Sequence, residues 1–187
     1  MRVLPLKYAL VQATAIALLT SCFLTLHSEK TKIVYCKDDR RQGIYPIVQF
    51  DFLGYTFRPR RVRSTKTGTF VGFNPGISGK SAVAIRREMR SWQLRLHSDL
   101  TLEQLARRVN PFLRGWINYY GVYFRSALIP VVNHLDHILS RWVVRKYKRF
   151  KRKRWSALQW VQRMSWRQPK LFAHWTALRT SRMIGGV

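Results

Sequence analysis

The sequence predicts a mainly α protein: a helical bundle over its second half, preceded by a short antiparallel β segment. Three observations predict it. From about residue 78 onward, apolar side chains recur at three- and four-residue spacing, the period of a helix with one buried face. Between residues 32 and 73, short β-branched and aromatic runs alternate with turn residues. Hydrophobic residues make up 47% of the 187-residue chain. That is enough for a packed core and excludes a disordered basic tail.

The elements follow in order. In residues 1–26, Arg2 and Lys7 precede a mostly apolar run from Tyr8 to Leu26. This is the outline of a signal peptide, with Ser21 before Cys22 at a poor cleavage site. Gln12, Thr14, Thr20 and Ser21 interrupt the run and make it marginal as a membrane span. Residues 27–77 form the β segment, with strands expected at 32–35, 44–49, 50–58 and 69–73 and a hairpin loop at 66–68. Asn74, Pro75 and Gly76 mark a break before the first helix.

Residues 78–166 form the helical domain, expected to fold as an independent unit. Residues 81–96 bring Ile85, Met89, Trp92 and Leu96 to one face and spread Arg86, Arg87, Arg90 and Arg95 over the rest. Thr101 followed by Gln104 is a capping box, after which Leu102, Leu105, Ala106 and Val109 make an apolar stripe. Asn110 and Pro111 suit the N-cap and first turn of a new helix, carried on by Phe112, Leu113, Trp116, Ile117 and Tyr120 to Gly121. A further helix starts near Ala127 or Pro130, buries Leu135, Ile138, Leu139, Trp142 and Val143, and runs into a basic cluster. Residues 156–165 form a shorter helix with Leu158, Val161 and Met164 inward, ended by Pro169. Residues 167–187 read as a tail.

Charge bounds the function. Lys and Arg number 35 against 8 Asp and Glu, a net charge of +27. A compact chain so charged repels itself unless a polyanion is present, which makes nucleic acid the first partner and an anionic membrane surface the second. Asp136 is the last acidic residue. The densest patch is residues 145–154, comprising Arg145, Lys146, Lys148, Arg149, Lys151, Arg152, Lys153 and Arg154. A solvated helix face is the plain reading of such a run. Tyr147 and Phe150 interleave with the cations and Trp155 follows, which favours phosphate binding. Cys22 and Cys36 make neither a disulfide framework nor a zinc site, and His134 and His137 lack accompanying ligands. No metal and no cofactor is expected.

Residues 110–121, NPFLRGWINYYG, crowd Arg114, Trp116, Asn118, Tyr119 and Tyr120 into one segment. Guanidiniums grip phosphates and aromatic faces stack on unpaired bases; for Trp116 and Tyr120 the helix-core reading is the favoured one. The whole string resembles the maturase-specific segment, also called domain X or thumb, of group II intron reverse transcriptases. Residues 27–39, HSEKTKIVYCKDD, resemble the stretch after their catalytic strand. Residues 50–60, FDFLGYTFRPR, resemble their palm-to-thumb motif, and residues 168–175, QPKLFAHW, the end of a bacterial member. The resemblance implies a thumb/domain X helical bundle preceded by a short antiparallel β palm remnant, with residues 1–26 a degraded palm helix or a signal-like segment.

Polymerases of that family hold two metal ions with carboxylates, including a Tyr-x-Asp-Asp pair. Here Tyr35, Asp38 and Asp39 are spaced one residue too long and fall after the Glu-Lys-Thr string, so Asp38 and Asp39 read as turn residues. The expectation is therefore an RNA-binding, non-enzymatic maturase-type module, truncated relative to the family. Its partner would be group II intron RNA or another structured RNA. The expected RNA-binding residues are Arg86, Arg87, Arg90, Arg114, Tyr119, Tyr120 and the eight cations of residues 145–154. The alternatives are a non-functional fragment, one part of a split reverse transcriptase whose palm is a separate polypeptide, and a membrane-associated basic protein. A cytoplasmic location is expected, with export as the second reading of the N-terminus.

Overall fold

The computed structural model describes residues 14, 17–25, 27, 31–40, 43–64 and 68–177. The chain forms two compact units, residues 1–35 and 36–187. The sheet and the helices of residues 79–167 both belong to the second. In the first unit residues 17–21 are helical, and residues 32–35, expected as a strand, join no ladder. Of the apolar run expected to be signal-like, residues 8–13, 15, 16 and 26 lie outside the described residues.

The sheet has three antiparallel strands in the order β1 (Phe50–Phe52), β2 (Tyr55–Ser64), β3 (Gly68–Ile77). The strand expected over 50–58 is cut in two. Leu53 (φ 47°) and Gly54 (φ 80°) both lie in the left-handed region, so Phe52 pairs with Tyr55 across a two-residue hairpin turn. Residues 44–49 join no strand. Asn74, Pro75 and Gly76 continue β3 instead of breaking it. Pro59 and Pro75 are tolerated because β1 pairs with β2 no further than Phe57 and β3 has one neighbour, so each proline has an open side. Of the hairpin loop expected at 66–68, residues 66 and 67 lie outside the described set, whereas Gly68 opens β3 and pairs with Ser64.

Five helices follow. In α1 (Gly79–Ser91) the Ser78 hydroxyl accepts from the Ser81 amide at 3.1 Å, and Ile85 and Met89 face inward. The helix stops short of Leu96 because Gln93 turns left-handed (φ 45°) and starts a 3-10 turn, Leu94–Leu96. Leu94 thereby replaces Leu96 in the core, leaving Leu96 46% exposed. α2 (Leu102–Tyr120) opens with the expected capping box: Gln104 N–H donates to Thr101 Oγ1, and Thr101 N–H donates to Gln104 Oε1.

The break expected at Asn110 and Pro111 does not occur. Asn110 is buried and spends its amide elsewhere: Nδ2 donates to the Leu171 carbonyl at 2.8 Å and Oδ1 accepts from the Ala173 amide at 2.9 Å. It caps nothing, and the helix runs through Pro111 at the loss of one helical hydrogen bond. The expected single helix after residue 127 is two, α3 (Arg125–Val132) and α4 (His134–Lys146), joined at Asn133. α5 (Arg154–Arg167) is longer at both ends than expected and stops one residue before the pre-proline Gln168.

Leu105, Val109, Leu113, Leu135, Leu139, Trp142, Val143 and Val161 build one core with Met89 and Leu94. The segment expected as a tail completes it. Phe172, His174 and Trp175 are buried, and Asp136 Oδ1 accepts from both His174 Nε2 (3.0 Å) and Trp175 Nε1 (2.9 Å). Asn110 and Asp136 are thus two polar anchors that hold the C-terminal segment against the bundle.

Candidate nucleic-acid interface

The basic run does not lie on one helix face. Arg145 and Lys146 end α4, Lys148 and Arg149 sit in a 3-10 turn, and Arg154 opens α5. Between the last two elements Arg152 takes a left-handed conformation (φ 61°). This broken path sorts the side chains. Lys146 turns inward: its ammonium donates to the Ser98 carbonyl at 3.1 Å and to that of Leu100, and lies 5.2 Å above the Trp142 ring. Arg149 stacks on Phe150, 4.7 Å from its centroid. Lys148, Lys151 and Lys153 are exposed.

Three arginines of the run close a hollow. Arg145, Arg152 and Arg154 line a 480 Å³ cavity together with Arg95, Arg141 and Val144. A second cavity shares Arg95 and Arg141 and adds Arg90, Gln93, Leu94 and Ile138. Among the described residues no carboxylate forms an ion pair with these guanidiniums. The first turn of α5 has no side-chain cap at its N-cap residue and no acidic residue. Trp155, in that turn, is 70% exposed.

The aromatic segment 110–121 behaves differently. Tyr119 Oη donates to the Leu53 carbonyl at 2.9 Å, and Tyr55 Oη donates to the Tyr119 carbonyl. The Tyr55 ring packs on Tyr119, Tyr120 and Tyr123, and its phenol is pushed above the usual range by burial and then by Tyr119. A side chain at Gly54 would come within 2.9 Å of both Tyr120 Oη and Ser81 Oγ. The hairpin turn of the sheet is therefore clasped by the end of α2. Trp116 stacks on Trp92 at 5.7 Å.

Of the residues expected from the sequence, the structure brings Arg90, Arg145, Arg152 and Arg154 together. Arg87 and Arg114 are exposed on α1 and α2. Arg86 lines a separate groove with Arg58, Arg60 and Lys80, where burial and then Arg58 lower the basicity of Arg60. Tyr120 is half-buried and Tyr119 48% exposed, both engaged with the sheet. Sequence reasoning left out Arg95 and Arg141. Arg141 stands one helical turn before Arg145, a spacing visible in the sequence. Arg95 reaches the hollow only through the left-handed Gln93, which nothing in the sequence announces.

Fold and hollow together define a strongly basic helical domain suited to a polyanion. Residues 83–161, from α1 into α5, match the family described as group II intron, maturase-specific domain. The matched stretch is 79 of the 187 residues and is similar to a maturase domain of group II introns. No characterised protein and no solved structure gives a match to the chain.

Proposed function

We propose that the chain is an RNA-binding module that helps a group II intron RNA reach its splicing-active fold, without a catalytic centre of its own. The observation that carries this reading is the convergence of six arginines, without a carboxylate partner among the described residues, on the maturase-specific domain. Guanidiniums neutralise phosphates and release the counterions condensed on RNA. Trp155, exposed beside Arg154, is the aromatic best placed to stack on an unpaired base. The module supplies charge and shape while the intron RNA performs the chemistry. Asp38 and Asp39 hold backbone amides: Asp38 Oδ1 accepts from Arg40 and Asp39 Oδ2 from Val71.

The test is binding and splicing with one intron RNA. Six phosphate contacts lower affinity by roughly a thousandfold or more between about 50 and 200 mM salt. The protein should also raise the fraction of intron spliced at low magnesium. Salt-insensitive binding, or splicing unchanged at saturating protein, defeats the reading. Template-dependent primer extension by the purified chain defeats its non-enzymatic part.

A further inference from the structure

We infer that the paired hollow between α1, α4 and α5 is a guanidinium-built subsite for a sharp bend in an RNA strand, where more than one backbone phosphate meets the same arginines. This rests on the RNA-binding reading above.

The first support is how the cations sort. Residues 145–154 hold four arginines and four lysines. Three of the arginines line the hollow and no lysine does; the cations contributed from elsewhere, Arg90, Arg95 and Arg141, are arginines too. A solvated positive face has no use for such sorting, because lysine serves it equally well. A planar fork that grips two phosphate oxygens at once does require arginine.

Charge balance is the second support. A backbone phosphate carries one negative charge. Five guanidiniums around one concavity, with no carboxylate paired to them among the described residues, are not balanced by a single phosphate. A strand tracking a flat surface presents its phosphates one at a time, whereas a bend crowds them together. A concavity also focuses the positive potential, and Val144 adds an apolar patch to the larger cavity.

The backbone is the third support. Gln93 and Arg152 are non-glycine residues held left-handed, and they border the two cavities. Such strain persists only where the surroundings enforce it. Each instance aims a guanidinium: Arg152 directly, and Arg95 through the turn that Gln93 starts.

The experiment uses the full chain and two RNAs: a duplex bent by a short bulge and the same duplex without it. The variant R152K/R154K keeps every charge but loses the fork geometry. R107K/R163K, on exposed arginines of α2 and α5, is the control. The pocket variant should lose about tenfold in affinity for the bent RNA and about twofold or less for the straight one, with the control nearly unchanged on both. Equal losses on both RNAs, or no loss, overturn the bend subsite while leaving RNA binding intact. If wild-type protein binds neither RNA at low salt, both readings fall together.

Discussion

Residues 110–121 and 145–154 both join aromatic rings to cations, Arg114 alone in the first and eight in the second, and the fold uses them in opposite ways. In the first, Tyr119 and Tyr120 close over the Leu53–Gly54 turn and bind the sheet to the end of α2. In the second, Lys146 alone turns inward among the lysines, and the arginines gather around an open hollow. The difference lies in what each segment meets. The Leu53 carbonyl meets the end of α2 and accepts from the Tyr119 hydroxyl. The α4–α5 junction finds no carboxylate among the described residues, and its guanidiniums remain available. Local composition marks both segments as candidates; the partner that folding brings to each decides which becomes scaffold and which becomes surface.

The largest expected effect tests the surface half of that contrast. Reversing Arg145, Arg152 and Arg154 to Glu should lower affinity for structured RNA by on the order of a thousandfold at low salt, and flatten the salt slope by about 2. The melting temperature should hardly move, because all three are exposed. Binding titrations across salt check this; an unchanged slope would remove these arginines from the interface. The next effect tests the scaffold half. Tyr120→Ala should cost about 2 kcal/mol, less than the ~3–5 of a fully buried aromatic, since Tyr120 is half-buried. Chemical denaturation measures the loss, and RNA affinity of the folded protein should stay within about twofold. A drop in RNA affinity without a loss of stability would make Tyr120 a base-stacking residue and erase the contrast.

Lys146 sits at the border between the two behaviours. Lys146→Met keeps the aliphatic stem but leaves the Ser98 and Leu100 carbonyls without their donor. The expected cost is about 1–2 kcal/mol of stability, with the RNA salt slope unaltered. A slope reduced by about 0.7–0.9 would instead count Lys146 as a phosphate contact.

Much of this was legible in the sequence, and the failures share a cause. The capping box at Thr101 and the buried positions Ile85, Met89, Leu105, Leu135 and Trp142 follow from helical period and local hydrogen bonding, which need no knowledge of distant residues. Asn110 and Pro111 were misread because a helix break is the local optimum for that pair. The bonds from Asn110 to Leu171 and Ala173 span 61 and 63 residues and override it. The hollow was half visible: its charge could be read from the sequence, but the left-handed turns at Gln93 and Arg152 that shape it come from packing.

The smallest effect links stability to the same surface. His134 has a buried Nε2 without a partner, and its basicity is lowered first by burial and then by Arg90, Arg86, His137 and Arg141. The folded state therefore resists protonation that the unfolded chain accepts. The neutral ring's contribution is complete above the ordinary histidine pKa of about 6.5 and is lost as pH falls through it toward the folded value. His134→Gln should make the stability curve flatter below that pH. Two of the depressing cations, Arg90 and Arg141, line the second cavity of the hollow. Phosphates seated there would offset their charge, so His134 should become more basic in the RNA complex than in the free protein. Following the imidazole resonances of His134 through a pH titration, with and without RNA, decides the matter. An upward shift on binding places phosphate beside Arg90 and Arg141, whereas coincident curves would put the RNA on some other face of the bundle.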